Sequence, residues 1–244
     1  MDLLHQFDVK TLIPFSLFGI DVSFTNASLY MLIAVSVVCL GLDLVLKQSS
    51  SVPSRMQSVV EMLFSFVSKT IETFCGSEGK GYFVYIFILF SFIFMCNLIG
   101  LIPGSFTVTS QLIVTFSLAL TVFISVTIIG IMKHGLGFIR LFVPHGIPWY
   151  VLPLLVPAEI ISYFSRPLSL SIRLFANMVA GHILLKVFAS FAVLAASSSL
   201  MPLAILPLVV NFGLIFFELV VAFLQAYVFT ILTCIYLKDA LHLH

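Results

Sequence analysis

Charge is what this sequence has least of. Only 9% of its 244 residues are Asp, Glu, Lys or Arg, where soluble domains carry about 25%. With 61% of the chain hydrophobic and a mean hydropathy of +1.22, that shortage excludes a soluble globular domain. No charged residue falls between Lys80 and Lys133, or between Lys186 and Glu218, and such gaps hold membrane spans of about 20 residues each. Basic clusters are missing too, and a net charge of +1 leaves no electrostatic footprint for nucleic acid. The four cysteines (Cys39, Cys75, Cys96, Cys234) are scattered singly, with no CxxC and no Cys/His pairing, which argues against a metal site or a cross-linked framework. No phosphate-binding loop occurs, so any nucleotide chemistry must lie in other chains. The N-terminal MDLLHQFDVK lacks a basic stretch followed by an apolar one, so insertion is expected through an uncleaved span.

What is there in abundance is continuous apolar sequence containing Gly and Pro. This fits helices; a membrane barrel would need alternating segments of about ten residues. The expected fold is an all-α integral membrane protein, a single membrane domain over 1–244 with about five membrane-embedded helices plus an amphipathic interfacial one. Residues 1–26 read as an ordered lead-in. Spans are expected at 27–46, 82–102 and 111–132. Between the first two, residues 53–75 place Met56, Val59, Leu63, Phe66, Val67, Thr70, Ile71 and Phe74 at three- and four-residue steps among charges, the pattern of an amphipathic helix lying in the interface. A helix packed on the spans would look the same, and the sequence does not separate the two. Pro53 suits its first turn, and Gly76 and Gly79 end it. The connection 103–110 carries no charge at all. A proline-rich aromatic stretch, FVPHGIPWYVLPLLVP, leads into the fourth segment.

The last two segments, 154–190 and 203–238, are too long for a simple crossing. At 1.5 Å per residue each reaches about 55 Å, against a hydrocarbon core of about 30 Å. Each must break or lie far more steeply than the usual tilt of about 20°. With Ser197, Ser198, Ser199 and Pro202 between them, they read as a steeply inclined helical hairpin. The Lys and Arg of 47–80, of 133–140 and Lys238 fall on one side if each span crosses once, while 103–110 and 191–202 hold none. The bias puts the N-terminus outside and the C-terminus inside.

Both arms carry polar residues where charge is costly. On a helix, Glu159, Ser162, Arg166, Ser169, Arg173, Asn177 and Ala180 fall within about 40° of one line. A charge near the bilayer centre costs roughly 3 kcal/mol or more and defaults to a functional role. On the second arm Asn211, Glu218 and Gln225 recur every seven residues. Arg173 is an obligate cation, unsuited to releasing a proton and suited to discharging a passing carboxylic acid. Glu218 and His182 hold groups that carry protons near neutral pH. His182 lies about 180° around an ideal helix from Arg173, so the two serve different neighbours.

A transporter acting alone would favour inverted repeats, and no convincing repeat relates the halves. A haem-bearing subunit would want paired histidines inside spans, and His182 is the only one there.

SRPLSLSIRLFANMVAGH (165–182), with FELVVAFLQAYVFTILTCIYL (217–237), resembles the proton-channel a-subunit family of F-type ATP synthases, also called the ATPase subunit 6 family. LHQF (4–7), VPSRMQ (52–57), NLIGLIP (97–103) and HG (134–135) extend the likeness over nearly the whole chain. The resemblance implies a proton-translocating subunit with no catalytic site and no cofactor. Its partners would be the c-subunit ring, the peripheral stalk b-type subunits, other ATP synthase subunits, the lipid bilayer and protons. Its place would be an energy-transducing inner membrane, bacterial or mitochondrial. It further implies that Arg173 faces the ring carboxylates, that Asn177, His182, Glu218 and Gln225 surround the half-channel open to the outer side, and that Glu159 and Ser162 belong to the half-channel toward the inner side. Many bacterial members of that family carry Glu where this chain has His182, and His where it has Glu218. An exchange as a unit suits two groups that meet in space.

Overall fold

A computed structural model describes residues 7–17, 20–21, 23–47, 54–102, 104–135, 137–138, 151–197 and 205–241. Several features named above lie outside them: the start of the LHQF string, Pro53, Pro103, Arg140, the aromatic stretch up to Tyr150, and Ser198, Ser199 and Pro202.

Among the described residues six α-helices carry the fold, in agreement with the all-α expectation: α1 (Asn26–Lys47), α2 (Arg55–Cys75), α3 (Phe83–Gly100), α4 (Leu112–His134), α5 (Leu152–Ala196) and α6 (Ile205–Leu241). Five stretches among the described residues are long and apolar enough to cross a membrane: Asn26–Val45, Glu78–Gly100, Leu112–His134, Leu152–Ala196 and Ile205–Leu241. The lead-in adds two short antiparallel pairings, β1 (Thr11–Ile13) with β4 (Phe24–Thr25) and β2 (Ser16–Leu17) with β3 (Ile20–Asp21). Strands of two or three residues are too short to show alternation in a sequence. Asn26 ties this hairpin to the start of α1: its Nδ2 donates to the Asp8 carbonyl at 3.1 Å and its N–H to the Lys10 carbonyl at 3.0 Å.

α5 runs unbroken for 45 residues with Pro157 and Pro167 inside it, and α6 for 37. Each proline lacks an N–H and so cannot donate to the carbonyl four residues before it, yet neither ends the helix.

The chain packs as two compact units. The first comprises Met1–Gly41, Ser91–Leu112 and Leu174–Ala226. Its core holds Ala34, Ile93, Leu174, Met178, Ala222 and Ala226, all at or near zero exposure. Small residues on α6 let α3 come close: Asn97 Nδ2 donates to the Ala222 backbone carbonyl at 3.1 Å, and Phe94 meets Phe223 edge-on at 5.7 Å. The connection from Ser105 to Ser110 is buried throughout. Lacking charge, it is sealed by hydroxyls: Ser105 Oγ bonds to the carbonyls of Ile99 at 2.5 Å and Ile102 at 2.8 Å, and Ser110 Oγ donates to the Thr107 carbonyl at 2.6 Å. These hydroxyls reinforce carbonyls that already accept backbone N–H groups just beyond the end of α3.

The second unit comprises Leu42–Phe90, Ile113–Arg173 and Tyr227–His244. α2 begins where Ser54 accepts from the Gln57 N–H at 3.3 Å, and ends where Gly76 turns at φ 68° and donates to the Glu72 carbonyl. Val67, Thr70, Ile71 and Cys75 form its buried stripe, while Met56, Val59, Met62 and Phe64 remain exposed. Phe66 packs on Tyr227 at 5.0 Å, and Cys75 Sγ donates to the Cys234 carbonyl at 3.0 Å. Lys80 pairs with Glu72 at 3.0 Å and Lys133 with Glu78.

Candidate functional site

In the first unit, the buried stripe of α5 repeats every fourth residue through Leu174, Met178 and His182, while Asn177 and Ala180 lie on the exposed side. On α6 the buried stripe is Glu218, Ala222, Gln225 and Ala226. These two stripes bring His182 and Glu218 together, with Nε2 and Oε1 3.8 Å apart and both residues largely hidden, at 6% and 3% exposure. That separation exceeds a hydrogen bond, and among the described residues neither Glu218 oxygen has a hydrogen-bond donor. A carboxyl buried in this way is costly when ionised and unpaired.

The approach depends on Gly181, whose hydrogen faces the Glu218 carboxyl. An ideal Cβ there would stand 2.5 Å from Oε1 and 2.9 Å from Cδ. Thr107 Oγ1 lies 2.9 Å from the same His182 Nε2. Phe7 from the lead-in meets the imidazole edge-on at 6.2 Å and places its ring 5.6 Å from Lys186 Nζ, a cation–π distance. One turn before His182, Asn177 Nδ2 donates to Gln225 Oε1 at 2.8 Å.

Two cavities flank the pair. One, of about 250 Å³, is bounded by Asn177, Gly181, Leu184, Leu214, Phe217 and Glu218. The other, of about 270 Å³, is bounded by Gly100, Ile102, His182, Lys186, Asn211 and Ile215. Each is large enough for several waters and touches one member of the pair.

In the second unit α5 buries Tyr163, Pro167, Leu170 and Ser171 and exposes Ser162, Ser169 and Arg173, with Glu159 half-buried. Among the described residues no carboxylate lies within ion-pair distance of Arg173. Arg166 leaves the stripe it shares in the sequence pattern. Its Nη1 pairs with Asp239 Oδ2 at 3.0 Å, and its guanidinium lies 5.5 Å from the Tyr163 ring and 5.0 Å from the Tyr236 ring. Tyr163 in turn exchanges a hydrogen bond with Thr127 at 2.7 Å. No group of three or more His, Cys, Asp or Glu suited to a metal ion occurs among the described residues.

Two members of these clusters were not singled out by sequence reasoning. Thr107 had one signal, its place in a hydroxyl-rich connection without charge. Asp239 had another, as an acid closing an arm that carries no other carboxylate after Glu218.

The family model described as ATP synthase A chain matches residues 28–238. The chain belongs to the ATP synthase A chain family. Relatives named ATP synthase subunit a include one from Parvibaculum lavamentivorans, 51% identical over 244 residues, covering 99% of this chain and 94% of the relative. Another, from Pelagibacter ubique, is 52% identical over 242 residues, covering 99% and 98%. A third, from a Chelativorans species, is 51% identical over 243 residues, covering 99% and 98%. A member of the ATP synthase A chain family is a proton-translocating subunit of a multi-subunit complex and not itself catalytic.

Proposed function

We propose that this chain is the stator subunit of the membrane sector of an F-type ATP synthase, where it passes protons to and from carboxylates on a rotating c-subunit ring through two offset aqueous half-channels. The observation that carries this reading is the buried His182–Glu218 pair, 3.8 Å apart and flanked by two cavities. An imidazole and a carboxyl, both able to carry a proton, held together in apolar surroundings with room for water beside each, suit proton transfer more than packing.

In this reading a proton arrives from the outer side, is held by His182 or Glu218, and moves past the Asn177–Gln225 amide pair to a ring carboxylate. The neutral carboxyl then travels through lipid. It releases its proton toward the inner side near Glu159 and Ser162. Arg173 discharges the returning carboxylate and keeps the two paths from joining. Its exposure, and the lack of a carboxylate partner among the described residues, support a cation held for a group on another chain. The membrane potential supplies about 2.3 kcal/mol per charge per 100 mV. Helices of 45 and 37 residues exceed a hydrocarbon core of about 30 Å so far that a steeply inclined hairpin is the arrangement we favour. The same reading places the protein in an energy-transducing inner membrane, N-terminus outside and C-terminus inside by its Lys and Arg bias, alongside b-type stalk subunits.

The test is cross-linking in native membranes. Single cysteines along 159–180 are paired with cysteines flanking the c-subunit carboxylate. Cross-links recurring at Glu159, Ser162, Arg173 and Asn177 are expected. Their absence from every face, with the chain inserted and the ring present, overturns the reading.

A further inference from the structure

We infer that Thr107 is a positioning residue for proton transfer: its hydroxyl holds His182 Nε2 beside Glu218 and satisfies that nitrogen before and after each hand-over between the two. The inference rests on reading His182 and Glu218 as the proton-transfer pair.

The geometry carries it. One nitrogen of His182 faces two oxygens, Thr107 Oγ1 at 2.9 Å and Glu218 Oε1 at 3.8 Å. Only the first is a hydrogen bond. The hydroxyl also points toward the Gly100 carbonyl at 3.4 Å, and it has one proton and two lone pairs. It therefore has two arrangements. When Nε2 carries a proton, Nε2–H donates to Oγ1 and the hydroxyl donates to Gly100. When Nε2 is bare, the hydroxyl turns and donates to Nε2. In both, His182 is satisfied by Thr107 and the Glu218 carboxyl is left without that nitrogen. Transfer needs Nε2–H to leave Oγ1 and point at Oε1. The N–H bond of the imidazolium breaks, an O–H bond forms on the Glu218 carboxylate, the neutral ring keeps its proton on Nδ1, and the Thr107 hydroxyl then closes on the bare nitrogen. Thr107 gains and loses no proton.

The surroundings hold this hydroxyl in place. Thr107 is 1% exposed. Its own carbonyl accepts from Ser110 Oγ at 2.6 Å and from the Ser110 N–H at 3.2 Å. Gly100 has to be glycine for it to fit, because a Cβ there would stand 2.8 Å from Thr107 Cγ2 and 3.2 Å from Oγ1. Among the described residues, the charged groups facing His182 are Glu218 from α6 and Lys186 from its own helix. Phe7 of the lead-in meets it by its ring, and the Ser105–Ser110 connection carries no charge.

The experiment uses the assembled complex in inverted membrane vesicles and measures ATP-driven proton pumping for Thr107→Val, Thr107→Ser and His182→Gln. It is joined to nitrogen-15 solid-state spectra of the His182 ring in the reconstituted complex. Thr107→Val, which keeps the shape and removes the hydroxyl, is expected to lower pumping about ten-fold, the weight of one hydrogen bond to an ionisable group. Thr107→Ser is expected to keep about half of the flux or more, since it retains the donor and both lone pairs. The Nε2 resonance should move in the Val variant and not in the Ser variant. Normal pumping by Thr107→Val beside impaired His182→Gln overturns the role of Thr107 and leaves the pair standing. Equal loss in Val and Ser, or loss in Val with an unchanged His182 resonance, also overturns it. Normal pumping by His182→Gln overturns the reading of the pair itself. If Thr107→Val does not assemble, Thr107→Cys, a weak donor and acceptor, takes its place with the same expected loss.

Discussion

Gly181 and Glu218 touch across the parts of α5 and α6 that lie in the first unit, with space for a hydrogen and none for a methyl group: an added Cβ would meet Oε1 at 2.5 Å and Cδ at 2.9 Å. Gly181→Ala therefore has to push the carboxyl aside. Overpacking of this kind costs about 1–3 kcal/mol. ATP-driven proton pumping should fall about ten-fold or more at unchanged subunit abundance. Wild-type pumping by Gly181→Ala would show that the position of Glu218 does not matter.

His182 and Glu218 should behave as one unit. His182→Glu alone sets two acids side by side in apolar surroundings, where a second charge is disfavoured. Adding Glu218→His restores one base and one acid. Proton pumping should be lost in the single variant and partly regained in the double, with a coupling of about 1 kcal/mol or more. Independent effects in the double-mutant cycle would dissolve the pair.

Arg173 separates function from stability. It is exposed and has no carboxylate partner among the described residues. Arg173→Ala should change the thermal stability of the purified complex by less than about 0.5 kcal/mol while abolishing proton-driven ATP synthesis. Retained synthesis would take Arg173 out of its assigned role.

Arg166 predicts the reverse. Its pair with Asp239 is three-quarters hidden on one side and somewhat less on the other, with side-chain exposures of 25% and 30%. Breaking the pair should cost about 1–2 kcal/mol, between the values for surface and fully buried pairs. Arg166→Lys should recover little of this, because a lysine ammonium does not lie flat between Tyr163 and Tyr236. Thermal unfolding across the Arg166→Ala, Asp239→Ala cycle measures the coupling, and a value near zero would make the pair incidental.

Local signals carried much of the architecture. Charge-free runs mark where helices lie, and the step of three and four residues through Val67, Thr70 and Ile71 marks the buried stripe of α2. The polar spacing on α5 separates an inward His182 from an outward Arg173, because nine residues on a helix turn the chain by about half a circle. Contacts between residues far apart in sequence were harder. Arg166 shares a line with Arg173, yet it bonds Asp239, 73 positions away, and no periodicity reports a partner on another helix. Thr107 was hidden for a different reason. A hydroxyl carries no charge to make it conspicuous in an apolar run, and its meaning depends on the single nitrogen it meets. Whether Pro157 and Pro167 break α5 was also open, since a proline inside a membrane helix is tolerated wherever its neighbours absorb the loss.

The Ser105–Ser110 connection has a practical consequence for topology mapping. By sequence it is a short turn between two apolar runs, the kind of position chosen for an epitope tag, a protease site or a labelling cysteine. All six of its residues are buried. A water-soluble reagent would not reach them, so accessibility mapping would score this turn as embedded and miscount the crossings around it. A tag inserted there would displace Thr107 and open the lining beside His182. Labelling cysteines belong instead at exposed positions such as Glu72 or Lys80, which make no contact with the pair.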